Sequence, residues 1–309
     1  MITLQRLETL RQVARSGSFT AAAETLGHTQ SAVSQQIAAL EQGLGVSLVA
    51  RRPRRISLTP AGRLLLERGN GILDDVERAS SDVRALAGVI SGEIRVATVA
   101  TAAATLLPTI IARFRDRYPD ARIRLDDADP DESLPALMAG SLDLAVVFDF
   151  TQAPLDPDPL VQLDLLCEES LYIGVARNHP LADRKRVRIR DFADEPWIGG
   201  NAQNVRRLLS RLSSTEGFKP RVVLESEDYG MVQGMIAAGM GVALLPALAT
   251  FYLHPEVVAV PLVSRVGRRR IQLATLDVPV EAALVRAFSA ILRKNLASAA
   301  RRFPGVHPV

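Results

Sequence analysis

The sequence predicts an α/β protein in three parts: an N-terminal winged helix-turn-helix over 1–58, a long linker helix over 59–90, and a two-lobed domain over 91–309. Three observations carry this. Two short helical patterns are pinched together around Gly27, an apolar seam follows Thr59-Pro60, and strand and helix patterns alternate beyond Ser91-Gly92.

In the first part Leu4, Leu7, Leu10 and Ala14 recur at helical spacing. Ser18 and Thr29 are suited to cap a second and a third helix. Ala23 is small enough for the two to cross closely, and Gly27 tolerates the backbone angles of a tight turn. Val33, Ile37, Leu40 and Leu44 form the expected buried stripe of the third helix, which ends near Gly43 and Gly45. Its opposite face carries Gln30, Ser31, Ser34 and Gln35. A purely structural helical hairpin would show any one of these features; together they imply a recognition helix for the DNA major groove. Glutamine suits adenine and serine suits either base edges or phosphates, so Thr29, Gln30, Ser31, Ser34 and Gln35 are the expected contacts. With no arginine on this face, A·T-bearing positions should be favoured over guanine. Leu48-Val49 and Ile56-Ser57-Leu58 read as wing strands, and Arg51, Arg52, Arg54 and Arg55 between them suit phosphate or minor-groove contact.

Thr59-Pro60 opens a helix cleanly, because proline at the first helical position gives up no needed hydrogen bond. Leu65, Gly69, Ile72, Val76, Ala79, Val83, Leu86 and Ile90 then alternate in steps of four and three. An amphipathic helix lying on its own domain is the plainer explanation. The sustained heptad favours helix–helix dimerisation through Leu65, Ile72, Val76, Ala79, Val83 and Leu86. Gly69-Asn70-Gly71 predicts a soft point or kink.

Beyond Ser91-Gly92 strands are expected at 94–99, 123–126 and 143–147, with helices at 101–117 and 133–138. A second series begins at 171–175, and 271–275 with 282–296 returns to the first. Lobe I is therefore assigned to 91–163 and 266–309, and lobe II to 164–265. The alternation predicts mainly parallel sheets, with a small ligand in the cleft between lobes.

Composition fits a globular protein: 309 residues, 48% hydrophobic and 23% charged, with a formal charge of +3. The lone Cys167 excludes an intramolecular disulfide and reads as a small buried apolar residue. The N-terminus lacks a secretion signal pattern, and the uncharged stretch 229–253 is broken by Gly239, Gly241 and Pro246. A cytoplasmic protein with no membrane partner is expected. His28, His179, His254 and His307 lack metal-ligand spacing, and Gly239-Met240-Gly241 precedes a strand rather than following one. No catalytic residue, metal or cofactor is expected.

These residues resemble the LysR-type transcriptional regulator family along essentially the whole chain. The resemblance rests on Gly17-Ser18-Phe19-Thr20-Ala21-Ala22-Ala23, Thr29-Gln30-Ser31-Ala32-Val33-Ser34, Leu40-Glu41, Leu44-Gly45 and Leu58-Thr59-Pro60-Ala61-Gly62. Further on it includes Tyr118-Pro119, 140–144, 179–182 and 238–246. Val49, Ser31 and Gln35 stand where the family commonly has phenylalanine, proline and arginine. The resemblance implies a homodimer or homotetramer that binds double-stranded promoter DNA, engages the transcription machinery and answers to a small-molecule effector. The effector domain is expected to look like a periplasmic binding protein. Carried over, its cleft comprises Thr98, Ala100, Thr101, Ala102, Asp127, Phe148, Gly200, Asn201 and Glu225. Thr101 is either a ligand contact or a simple helix cap. Asp127 and Asp129 either point away from the ligand or face one that carries an amine. The alternative function is an architectural or replication-blocking DNA binder without an effector.

Overall fold

Each of the first three helices begins on a hydroxyl cap and ends on a left-handed glycine. Thr3 caps α1 (Leu4–Ser16), Ser18 caps α2 (Phe19–Leu26) and Thr29 caps α3 (Gln30–Leu44), each side chain accepting a backbone N–H of the first turn. Gly17, Gly27 and Gly45 close them at φ of 65°, 66° and 69°, a region that side chains with a Cβ rarely enter. At Gly27 this turns α3 across α2, with the His28 N–H donating back to the Ala23 carbonyl.

This is a computed structural model that describes residues 1–52, 55–86, 90–263, 267–277 and 282–309. The chain divides into two units, Met1–Val89 and Ile90–Val309. The core of the first is built from Leu10, Val13, Phe19, Ala22, Ala23, Val33, Ile37, Leu40 and Leu48. Leu44, expected in this stripe, is 40% exposed, because α3 outruns the small core by one turn. The wing is the antiparallel pair β1 (Val49–Arg52) and β2 (Arg55–Leu58). Glu41 ties it to α3 by accepting the N–H groups of Leu48 and Val49 at 2.7 and 3.1 Å. Arg54 lies outside the described residues, as do the side chains of Arg51, Arg52 and Arg55.

The linker helix α4 (Pro60–Leu86) runs as one continuous helix through Gly69-Asn70-Gly71, where a soft point or kink is expected. A Cβ at Gly69 would stand 3.0 Å from Leu7 Cδ2, so this glycine serves the close approach of α1 to α4. Leu65 packs on the core, whereas Ile72, Val76 and Val83 are 47%, 44% and 67% exposed. Ala79 is exposed as well, and the side chain of Leu86 lies outside the described residues.

The second unit opens with β3 (Gly92–Thr98), α5 (Ala100–Thr105), α6 (Leu107–Arg117), β4 (Ala121–Asp127), α7 (Pro130–Met138), β5 (Leu144–Phe150) and β6 (Val161–Glu169). The single helix expected over 101–117 is two, with Pro108 in the first turn of the second, where its missing N–H costs nothing. The second lobe holds β7 (Leu171–Ala176), β8 (Pro196–Gly199), α8 (Gln203–Thr215), β9 (Arg221–Glu225), α9 (Tyr229–Ala237), β10 (Ala243–Pro246) and β11 (Val257–Pro261). The chain then returns through β12 (Arg269–Leu276), α10 (Ala283–Ala300) and β13 (Val306–Pro308).

Among the described residues the first lobe's sheet has the order β13-β6-β12-β5-β3-β4. β5 is buried along its whole length. Val96, Val146 and Phe148 belong to a core with Phe114 of α6 and Phe288 of α10, while Ala97, Ala145 and Val147 pack with Leu137 of α7. The second lobe has β10-β7-β11 and β8-β9, joined by a bridge between Trp197 and Val242. A Cβ at Gly241 would lie 2.4 Å from the Pro196 carbonyl oxygen, so glycine is required for that approach.

The sheets are mixed rather than mainly parallel. Only β3-β4, β3-β5 and β8-β9 are parallel among the described strands. β12 enters from the opposite lobe without a crossover helix of its own, so it pairs antiparallel with both β5 and β6. β6 stays in the first lobe's sheet to Glu169, six residues past the expected boundary at 163/164.

Candidate functional site

In the first unit, α3 separates its residues cleanly. Val33, Ile37 and Leu40 are buried, while Thr29, Gln30, Ser31 and Gln35 are exposed and Ser34 is half-buried. Thr29 Oγ1 accepts the Ala32 N–H at 3.2 Å and lies 3.0 Å from Ser31 Oγ. Gln36, by contrast, is drawn inward, its side-chain oxygen accepting the Thr9 hydroxyl. The result is an exposed polar face of short side chains and glutamines on a rigid helix, with the wing anchored beside its C-terminal half.

In the second unit a cavity of about 520 Å³ opens between the lobes. Of the residues expected there, Ala100, Thr101, Asp127, Phe148 and Gly200 line it. Thr98, Ala102, Asn201 and Glu225 do not. Thr98 and Ala102 are fully buried, Asn201 turns its carbonyl to Arg206, and Glu225 stands 3.8 Å from the same arginine. Thr101 is not a helix cap, because Val99 holds that position. Its hydroxyl instead accepts a hydrogen bond from Arg269 Nη1 at 3.0 Å.

Arg269, unread in the sequence, is the hub of this site. It is 2% exposed where β12 re-enters the first lobe, and its guanidinium carbon sits 3.9 Å over the Phe148 ring. Its Nη1 pairs at 2.9 Å with Glu169, which is fully buried at the other crossing between lobes. Glu169 also accepts the Leu248 N–H at 2.8 Å; burial pushes its carboxyl up, against the pull of Arg269. Both chain crossings are thus tied to one ion pair. The signal was the run Arg268-Arg269-Arg270 ahead of an alternating strand.

Asp127 and Asp129 both line the cavity. Asp127 accepts the Ala100 N–H. Asp129 meets Glu227 of the opposite lobe in a carboxyl–carboxyl hydrogen bond. Burial, and then Glu227, pushes the Asp129 carboxyl up to about 7. Cys167 is fully buried and its thiol is pushed up to about 12 by burial, as a structural residue requires.

Residues 4–63 match the bacterial regulatory helix-turn-helix protein, lysR family, and residues 87–297 match the LysR substrate binding domain. The chain belongs to the LysR family. This LysR-type transcriptional regulator therefore joins a DNA-binding helix-turn-helix to an effector-binding domain, and its relatives are regulators, not enzymes. It is 31% identical to the uncharacterized HTH-type transcriptional regulator YybE of Bacillus subtilis, over 79% of this chain and 82% of that one. It is 29% identical to a probable nitrogen assimilation transcriptional activator of Synechococcus elongatus, over 95% of each. Full-length CbnR crystallised with its target DNA shares the fold, with a TM-score of 0.73 and 24% identity over 95% of this chain and 99% of that one. LysR regulators bind promoter DNA and small-molecule effectors. Among the described residues no helix is long and apolar enough to cross a membrane.

Proposed function

We propose that two or four copies of this LysR-type regulator assemble through α4 and present paired α3 helices to an inverted repeat in promoter DNA. The division is 1–58 for DNA, 59–90 for pairing and 91–309 for the effector. Gln30, Ser31, Ser34 and Gln35 read base edges, and Arg51, Arg52, Arg54 and Arg55 hold phosphates. A small molecule in the inter-lobe cavity, against Thr101, Asp127, Phe148 and Gly200, sets how the bound protein acts on the transcription machinery, in the cytoplasm. The observation that carries the DNA reading is the exposure of the α3 polar face opposite its buried stripe.

Competition binding on duplexes tests it. Arg52→Ala should weaken every duplex alike and lower the log–log salt slope by about 1, whereas Gln35→Arg should move preference toward guanine at one position per half-site. An unchanged salt slope together with an unchanged base preference would remove both roles.

A further inference from the structure

We infer that the inter-lobe cavity takes a small organic cation, an amine or guanidinium that also carries a hydrogen-bond acceptor, with its charge held between Asp129 and Glu227. This rests on the reading of the cavity as the effector site and adds the chemical class.

Five carboxyl groups line the cavity: Asp127, Asp129, Glu132, Glu227 and Asp228. Arg269 is the one cation among the described lining residues, and Glu169 already neutralises it at 2.9 Å. An anionic ligand would therefore enter a field of its own sign. Two of the acids are committed to backbone. Asp228 caps α9 by accepting the Gly230 and Met231 N–H groups, and Asp127 accepts that of Ala100.

Asp129 is different. It occupies the cap position of α7 yet makes no capping hydrogen bond with its side chain. Its carboxyl turns instead to Glu227 on the other lobe. Two carboxyls in such contact need either a shared proton or a cation between them. An ammonium has three donors and satisfies both at once.

A second observation locates the acceptor. Arg269 lines the cavity while 2% exposed, and among the described residues its buried Nε has no hydrogen-bond partner. Such a donor calls for an acceptor, which a carboxylate, carbonyl or hydroxyl on the ligand supplies. Amino acids, amino alcohols and their guanidino counterparts combine the two features.

Replacement of the proton by a cation makes binding pH-dependent. Asp129 faces Glu227, Asp127 and Arg269, with Tyr229 and Glu132 nearby, and its carboxyl is pushed up to about 7. Below that pH the proton competes with the ligand, so affinity should fall about tenfold from about pH 8 to about pH 6.

The test is titration calorimetry on the full chain with L-arginine, L-lysine, 4-guanidinobutanoate and ethanolamine, against succinate and benzoate. At least one cation should bind, weaken about tenfold on acidification, and lose its pH dependence along with tenfold or more in affinity in Asp129→Asn. Asn can still donate to Glu227, so this variant keeps the contact between lobes. Ala104→Trp, which fills the cavity, should abolish binding. Succinate or benzoate binding that Ala104→Trp abolishes, with no cation bound, would overturn the cation class and leave the cavity reading standing. Cation binding indifferent to both variants would place the ligand elsewhere and overturn the two together. Binding by none of the six overturns the inference.

Discussion

Replacing Glu169 by alanine should destabilise the second unit by about 3–5 kcal/mol, because it strands a buried guanidinium. Arg269 is 2% exposed and Glu169 not at all, so the guanidinium loses its charge partner where solvent screens it little. The Leu248 N–H loses its acceptor at the same time. Trp197 is the sole tryptophan and is buried in the second lobe, so its fluorescence during urea unfolding reports on this unit alone. The contrast is Arg293–Asp164, an ion pair whose side chains are 51% and 46% exposed. Arg293→Ala should cost less than about 1 kcal/mol. Similar losses for the two variants would mean that the buried pair does not hold the crossings together.

The second large effect concerns assembly. Val76→Glu with Val83→Glu should convert the protein to monomers. Both valines stand on the exposed stripe of α4, at 44% and 67% exposure. Burying the exposed fraction of each leaves four valines in a dimer contributing about 3–6 kcal/mol. Their loss raises the dissociation constant by about 10²- to 10⁴-fold, before any cost of buried carboxylates. Sedimentation equilibrium reads this directly. A double variant that stays dimeric would show that α4 is a helix serving only its own unit.

The parts legible in the sequence were those set by neighbours in the chain. Ser18 and Thr29 cap the helices they were expected to cap, and the polar face of α3 emerges opposite Val33 and Ile37. β6 carries little sequence signal, for a physical reason. Its register against β12 shifts between Ile271 and Gln272, which pair with Cys167 and Leu165 and leave Leu166 extra. That bulge breaks the alternation by which a half-buried strand is read. The cavity was only partly legible because its wall comes from residues far apart in the chain. Thr101 and Arg269 are 168 residues apart, and Asp129 meets Glu227 only when the lobes face each other. Spacing along a chain carries no signal for such pairs. At Gly69 the local rule for helix weakness meets a packing demand that only the fold displays: the close approach of Leu7.

Selection of bound sequences from a random duplex pool by the full-length protein tests the central claim most directly, that a paired α3 face reads DNA. The expected outcome is an enriched inverted repeat with A·T-bearing half-sites, retained at moderate salt. A pool left without enrichment, or a single half-site with no symmetric partner, would contradict it.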